Sequence, residues 1–408
     1  MFTCRMCQGK NLYRFLDLGF TPPADQFKRN DQLKEPEIYY PLDVHVCDDC
    51  GLAQLGHVVS PEVLYRNDYP YESSITKTGR KHWAGFAQSV VKCLGLKEKD
   101  LVVDIGSNVG VLLEEFKNQG VRIQGVDPAA NIVMIAHDRG IDTVCDFFNK
   151  ESVEKIIALK GNASVITGTN VFAHVDDLYS FMNNVQKLLN DKGVFIFEAP
   201  YLVNLFKNIE YDTIYHEHLS YLSVKPLIKF FGKFGMAIFD IEQVDIHGGS
   251  FRVYVGKKSQ YPVAPVVDQL LKKEEEAGIY THKYLDDFAV KVSENKKALV
   301  WMLQSLKHEG KRIAGVSAPA KGMTLLNYCG IGRDVLDFVT EKSTLKIGRV
   351  TPGTHIPVVP DSWLIEKKPD YALLLAWNFA DEIMKNLQAF KDNGGKFIIP
   401  VPMPKVIH

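Results

Sequence analysis

The stretch Tyr215-His216-Glu217-His218-Leu219-Ser220-Tyr221 gathers two imidazoles, a carboxylate and two phenols within seven residues. Each of these groups can hold or move a proton near neutral pH once its surroundings tune its pKa. A polar loop with solvated or structurally bonded histidines is the plainer alternative, so the rest of the chain has to decide between them. A second chemistry-bearing set is made of cysteines. Cys4/Cys7 and Cys47/Cys50 form two CxxC pairs, and two such knuckles folded together offer four thiolates to a tetrahedral zinc ion. The insert between them, roughly 40 residues, is longer than the usual double-knuckle spacing, but closing a longer loop costs little extra. Four sulfur ligands close the coordination sphere, so the metal is read as structural.

The composition sets broad limits on where this chemistry operates. A hydrophobic fraction of 46% and a charged fraction of 24% are those of an ordinary soluble globular protein. A net charge of −1 gives no general attraction to nucleic acid or to an anionic membrane. No apolar run approaches the roughly 20 residues of a membrane span, and Met1-Phe2-Thr3-Cys4-Arg5 lacks the features of a signal peptide. The expected location is cytoplasmic. The length of 408 residues leaves room for several cores. Cys93, Cys145 and Cys329 sit among apolar neighbours and are expected as small buried hydrophobes.

Several elements must position these groups. Between the knuckles, Leu16 to Phe27 reads as a loop because of its glycine and paired prolines. Asp68 to Arg80 is a polar connector, and the three tyrosines from Tyr65 to Tyr71 are unusual for a spacer, so it is read as lying over a binding site. His82 to Leu94 is expected as a helix with Trp83, Phe86, Val90 and Leu94 on one face. Leu101 to Ile105 reads as a buried strand that runs into Gly106-Ser107-Asn108-Val109-Gly110 and a helix start. A second strand ends at Asp127, where an acidic side chain can accept hydrogen bonds from ribose hydroxyls. The glycine spacing is not that of a dinucleotide fold, so the ligand need not carry a pyrophosphate.

The run Asp104 to Gly110 and the acid Asp127 resemble the first motif and the ribose-binding acid of class I methyltransferases that use S-adenosylmethionine. That likeness implies a cofactor site of Asp104, Gly106, Ser107, Asn108, Gly110 and Asp127. Asp146 and Phe147, after the third strand, are then placed to receive an adenine. Asn170 and His174, at the end of the fourth strand, would lie beside the cofactor, because such sheets bind ligands at the carboxyl ends of their strands.

Further on, Asp245 to Val255 reads as a hairpin, and Pro265 to Glu309 as a charged, solvated helical connector. Lys311 to Gly322 reads as a strand, a small-residue turn and a helix that opens a second, smaller Rossmann-like unit. The fold class is therefore α/β in three parts. A zinc-binding module spans 1–73, a class I Rossmann-like methyltransferase domain 74–260, a helical connector 261–309 and a C-terminal Rossmann-like domain 310–408.

In this order the chain looks like the zinc-containing deoxysugar C-methyltransferases, which methylate a ring carbon of nucleotide-linked 4-keto-6-deoxy sugars. The likeness covers nearly the whole chain. Its distinctive pieces are the four cysteines, Tyr69-Pro70-Tyr71-Glu72-Ser73-Ser74, His174, Tyr215-His216-Glu217-His218, His247-Gly248-Gly249-Ser250, Pro319-Ala320-Lys321-Gly322 and Pro352-Gly353-Thr354-His355. The resemblance implies methyl transfer from S-adenosylmethionine to the carbon beside the C-4 ketone after deprotonation to an enolate, with C-3 the favoured position.

It also implies roles. His218 would be the base, Tyr215 and His174 would hydrogen-bond the C-4 oxygen or share in proton transfer, Glu217 would orient an imidazole, and Tyr69 would cover the sugar with Tyr71 beside it. His216 is read as a bystander facing the other side of an extended segment. Lys321 and Arg349 are the candidate partners of the pyrophosphate, and His247 and His355 are further expected substrate contacts. The expected partner is a nucleotide-diphosphate 4-keto-6-deoxysugar, with no nucleic acid, no membrane and a monomeric state. The competing readings are an O- or N-methyltransferase of a small metabolite and a non-catalytic zinc protein that binds S-adenosylmethionine.

Overall fold

Three β-sheets organise the chain, and their edges decide where the reactive groups meet. The computed structural model describes residues 2–66, 69–70, 77–246 and 248–407; Tyr71 and His247, both expected at the site, lie outside them. The N-terminal sheet begins with the antiparallel strands β1 (Leu12–Thr21), β2 (Tyr40–Cys47) and β3 (Ala53–Leu55). Leu16 to Thr21 is thus strand, not loop. Phe15, Leu16 and Leu18 are buried against the core, and the chain absorbs Gly19 at a register shift between Asp17 and Phe20. A glycine at an irregularity of this kind is compatible with pairing.

The central sheet is built from β4 (Leu101–Ile105), β5 (Arg122–Asp127), β6 (Thr143–Cys145), β7 (Ala163–Thr169) and β8 (Leu189–Pro200), all parallel. β9 (Ser220–Tyr221) leaves it and pairs instead with β3, as the fourth strand of the N-terminal sheet. β10 (Met236–Val244) and β11 (Ser250–Lys257) form the antiparallel edge, giving the order β10-β11-β8-β7-β4-β5-β6. All five residues of β4 are buried, as a strand covered on both faces requires. The helix Lys77–Leu94 lays Trp83, Phe86, Ala87 and Val90 on this sheet. The strand order reverses between β4 and β7, and the crevice outside their carboxyl ends is where such sheets take a ligand.

The C-terminal sheet contains β12 (Ile313–Val316), β13 (Val339–Glu341), β14 (Val358–Pro360), β15 (Tyr371–Leu374), β16 (Lys396–Ile399) and the antiparallel β17 (Lys405–Ile407), in the order β14-β13-β12-β15-β16-β17. It too is doubly wound, with its order reversing beside β12.

The helices Pro265–Glu276 and His282–His308 are not a solvated connector. Leu285, Phe288, Val292, Leu299 and Leu303 join one core with β1, β2 and the helix Ala320–Cys329. Glu274 is fully buried and accepts hydrogen bonds from Tyr201 Oη (2.7 Å), Tyr280 Oη (2.6 Å), Val224 N (2.7 Å) and Lys225 N (3.0 Å). The last two donors are unsatisfied N–H groups at the start of the helix Val224–Gly232, so this carboxylate caps a helix remote in sequence. Cys329 is buried, whereas Cys93 and Cys145 are exposed, at the end of a helix and the end of an edge strand. No helix among the described residues is long and apolar enough to cross a membrane.

Candidate active site and zinc centre

A cavity of about 1090 Å³ opens where the carboxyl ends of the central and C-terminal sheets face each other. Asp104–Asn108, Asp127–Ala129, Asp146–Lys150 and Thr169–Val171 line one side of it. Ser317, Pro319–Lys321 and Glu341–Ser343 line another, with Tyr65, Tyr69, His174, Tyr215, Glu217 and His218 also on its wall.

On the central-sheet side, backbone geometry explains the glycines. Gly106 has φ of 63°, and a Cβ there would lie 2.5 Å from Val171 Cγ2. Gly110 has φ of 79° as the N-cap of the helix Val111–Asn118, and a Cβ there would meet Ile141 at 2.8 Å. Their close approach is to the protein's own side chains. The carboxylate of Asp127 accepts from Asn108 N (2.9 Å) and Ala129 N (3.0 Å), which fixes it at the end of β5. Asp104 accepts from Thr167 Oγ1 at 2.7 Å; burial, with the Asp127 charge adding to it, pushes its carboxyl up to about 7 against that hydrogen bond. Asp146 accepts from Phe147 N at 2.8 Å, and the Arg66 guanidinium lies 5.1 Å from the centroid of the Phe147 ring. Asn170 holds φ of 56° and donates its N–H to Glu198 O at 2.7 Å.

Asp104 and Asp127 are buried carboxylates with no ion-pair partner among the described residues. Ser107 Oγ is a buried hydroxyl without a hydrogen-bond partner there. Two carboxylates and an unused hydroxyl around a crevice fit a ligand that brings positive charge and hydroxyls, as S-adenosylmethionine does.

The proton-handling groups converge from three segments. His218 Nδ1 lies 2.8 Å from the carbonyl of Thr213. A carbonyl only accepts, so Nδ1 carries the proton and Nε2 is the basic nitrogen of the neutral ring. The segment is not extended: His218 N–H donates to Tyr215 O at 2.9 Å, closing a turn that places the two rings 4.0 Å apart. The His174 ring centroid is 4.9 Å from that of His218. Burial, and then the proximity of His218, hold the pKa of His174 well below the ordinary imidazole range. The Tyr65 hydroxyl lies 3.4 Å from His174 Nδ1, and His174 Nε2 is buried without a partner among the described residues.

Glu217 receives a hydrogen bond from Tyr69 Oη at 3.3 Å and has no imidazole partner among the described residues. Burial, reinforced by Asp25, pushes its carboxyl well above the usual range, while Tyr69 and Lys346 oppose the shift. Orientation of His218 thus comes from a backbone carbonyl and not from Glu217. His216 turns away: its Nε2–H donates to Pro41 O at 3.3 Å, and burial pushes its pKa down to about 4.

Of the expected substrate-side residues Lys321, Arg349 and His355, Lys321 reaches the cavity and the other two do not. Lys321 Nζ lies 4.0 Å from Asp212 Oδ2 and 4.1 Å from the centre of the Trp377 ring, with no hydrogen-bond partner among the described residues. Trp377 Nε1 donates to Asp212 Oδ2 at 2.7 Å. His355 instead pairs with Glu37 Oε2 at 2.9 Å, and Glu37 also accepts from Gly353 N at 3.0 Å. That loop joins the N-terminal module to the C-terminal sheet. Arg349, next to the bridge between Lys28 and Val350, is outside the cavity lining.

Sequence reasoning missed Thr213, which acts through its carbonyl, a group present at every position. It also missed Asp25 and Lys346, paired at 3.0 Å across the cavity wall from remote parts of the chain. Tyr65 was detectable as the first of the clustered tyrosines.

The four knuckle cysteines bring their sulfurs within 4.8 Å of one another, with Cys4–Cys50 at 3.5 Å and Cys7–Cys47 at 3.4 Å. A tetrahedral ion with bonds of about 2.3 Å needs sulfur separations of about 3.8 Å. The hydrogen bond from Cys50, helped by backbone N–H groups, pulls the Cys4 thiol down to about 5. Burial and then the charge on Cys4 push Cys47 up to about 12, and the bond to Cys4 followed by burial pushes Cys50 upward. Four thiols this close cannot all ionise without a cation between them, so the donor set fits zinc.

Residues 80–240 match a family model described as a methyltransferase domain, residues 245–402 one described as a C-methyltransferase C-terminal domain, and residues 4–65 one described as “Putative zinc binding domain”. The C-methyltransferase NovU of Streptomyces niveus is 37% identical over 405 residues, covering 99% of this chain and 96% of that one. This chain belongs to the zinc-bearing C-methyltransferases. The C-methyltransferase also shares 28% identity over 96 residues, 23% of its length and 38% of the relative's, with a ubiquinone biosynthesis O-methyltransferase of Methylobacterium. Among solved structures, an S-adenosylmethionine-dependent methyltransferase of Clostridium acetobutylicum aligns with 44% of the chain and 92% of its own, at 16% identity and a TM-score of 0.35. By its family models, its full-length relative and its cysteine cluster, the C-methyltransferase is an S-adenosylmethionine-dependent enzyme with a four-cysteine zinc centre.

Proposed function

We propose that this C-methyltransferase acts on a nucleotide-linked 4-keto-6-deoxy sugar, at the carbon next to the ketone, with C-3 the favoured position. One observation carries the reading: two imidazoles and a phenol, their rings 4.9 Å and 4.0 Å apart, share one cavity with a cofactor-type crevice and a buried lysine. Carbon beside a ketone becomes nucleophilic only after losing a proton, so an enzyme that methylates carbon needs such a base. Nitrogen and oxygen nucleophiles make no such demand of a ketone.

Asp104, Ser107, Asn108 and Asp127 would hold S-adenosylmethionine, with Asp146 and Phe147 beside its adenine. When bound, S-adenosylmethionine supplies an electrophilic methyl group. His218 Nε2 takes the proton from the carbon, while Thr213 O keeps Nδ1–H in place and favours the resulting imidazolium. Tyr215 and His174 face the same space and donate to the ketone oxygen as charge develops on it. Tyr69, held by Glu217, covers the sugar. Lys321 offers its ammonium donors to the phosphates, a point charge well suited to that partner.

The test is mass spectrometry of products formed from a panel of nucleotide 4-keto-6-deoxy sugars. A gain of about 14 Da, one methyl in place of a hydrogen, on at least one member is expected. No gain on any member, together with turnover of a small amine or phenol, would replace this reading with N- or O-methylation.

A further inference from the structure

Arg5 stands between two of the zinc ligands, Cys4 and Cys7, yet its side chain serves a different place. The residue is buried, with 7% of its surface exposed. Its backbone N–H donates to Gln54 Oε1 at 2.9 Å. Its Nη1 donates to the carbonyls of Leu55 (3.0 Å) and Leu219 (3.3 Å), and its Nε to Asp176 Oδ1 at 2.9 Å. Leu219 directly follows His218, and Asp176 is two residues beyond His174. One guanidinium therefore ties together the two segments that carry the facing imidazoles. The Leu219 carbonyl also accepts from Leu55 N at 3.0 Å, and the strand β9 that follows pairs with β3, so the histidine segment is continuous with the zinc sheet.

A buried guanidinium is costly to desolvate, so stability alone is a weak reason for its presence. What arginine adds is a rigid planar fork whose donors fix the direction of several acceptors at once. We infer that Arg5 is a positioning residue of the reaction: it sets the separation of His174 and His218 by gripping Leu219 and Asp176 from within the zinc knuckle. The inference rests on the proposed proton-handling role of those two histidines. It also gives the zinc module a part in catalysis without giving the metal one, since the knuckle is the frame that holds the guanidinium.

The experiment uses full-length, zinc-loaded Arg5→Lys, Arg5→Gln and Asp176→Asn. Zinc content, S-adenosylmethionine affinity, kcat and KM are measured, together with imidazole NMR spectra in which His174 and His218 are assigned by their own substitutions. In both Arg5 variants, zinc stoichiometry and S-adenosylmethionine affinity should stay at wild-type values. kcat should fall roughly 10- to 100-fold with KM within about threefold, as expected for a misplacement of order 1 Å, and the signals of both histidines should move. Lysine should not rescue, because it keeps the charge and loses the fork. Asp176→Asn should move the His174 signal and lower kcat with normal thermal stability.

Unchanged imidazole signals and kcat in zinc-loaded Arg5→Lys would overturn the inference. So would a loss of kcat that merely tracks loss of zinc. If the Arg5 variants fail to fold, unchanged imidazole signals in Asp176→Asn overturn it instead. Absence of product in the wild type would count against the sugar substrate alone, because the NMR response reads the positioning without turnover.

Discussion

Replacing Lys321 by Met keeps the stem and removes the ammonium from the cavity. The cation lies 4.0 Å from a buried carboxylate and 4.1 Å from an indole ring, and makes no hydrogen bond to the described protein. Among the described residues its donors are therefore uncommitted to hydrogen bonds. Each charge-assisted hydrogen bond to a phosphate is worth about 1.5–3 kcal/mol. Loss of one such bond corresponds to roughly 10- to 150-fold in affinity. Calorimetric titration of the full chain with a nucleoside diphosphate alone reads that number, with S-adenosylmethionine as the control ligand.

The pH dependence provides a second reading from the same variant. Burial lowers the Lys321 pKa below the ordinary lysine range, against the charges of Asp212 and Glu210. Phosphate affinity in the wild type should be present at lower pH and decline as pH rises through that depressed value; Lys321→Met should lose that dependence. A change of less than about threefold in diphosphate affinity at neutral pH, where about 0.7 kcal/mol is the most that could be involved, would refute the assignment of Lys321 to the phosphates.

Other expectations concern single groups. Asp104 has a folded pKa of about 7, above its unfolded value. Its contribution to the stability of the unliganded protein is fully present below the unfolded value and lost as pH rises through about 7. Asp104→Asn should then melt a few degrees higher than wild type at pH 8, by scanning calorimetry, while binding S-adenosylmethionine at least roughly tenfold more weakly. Glu274→Ala strands two backbone N–H groups and two phenols, and should cost about 3–5 kcal/mol by denaturant titration. Glu274→Gln, which keeps an acceptor, should cost less. Cys47→Ser should lower zinc content and speed hydrogen exchange at residues 219–221, because β9 hangs on the sheet that the knuckles close.

Much of the architecture was legible because burial imposes patterns on sequence. The apolar run that opens β4, the acid closing β5 and the paired knuckles each have one inexpensive structural explanation, and the structure contains them. What was not legible depended on partners distant in the chain. Glu274 looks like one charge among many in Lys272-Lys273-Glu274-Glu275-Glu276, and only the start of a helix some fifty residues earlier makes it a buried cap. His355 was expected as a substrate contact by its motif, but Glu37 claims its ring. Glu217 was expected beside an imidazole because of its neighbours in sequence; the turn between Tyr215 and His218 rotates it toward Tyr69 instead. The carbonyl that orients His218 could not be read at all, since backbone groups carry no signature in composition.

Proton exchange at the sugar carbon tests the central claim most directly. The wild-type enzyme is incubated in deuterated water with its keto-sugar substrate and S-adenosylhomocysteine, so that no methyl is available. Proton NMR should show loss of the hydrogen on the carbon next to the ketone, and His218→Gln should slow that loss at least roughly a hundredfold. Retention of that hydrogen in the wild type, under conditions where the same substrate is methylated once S-adenosylmethionine is added, would contradict it.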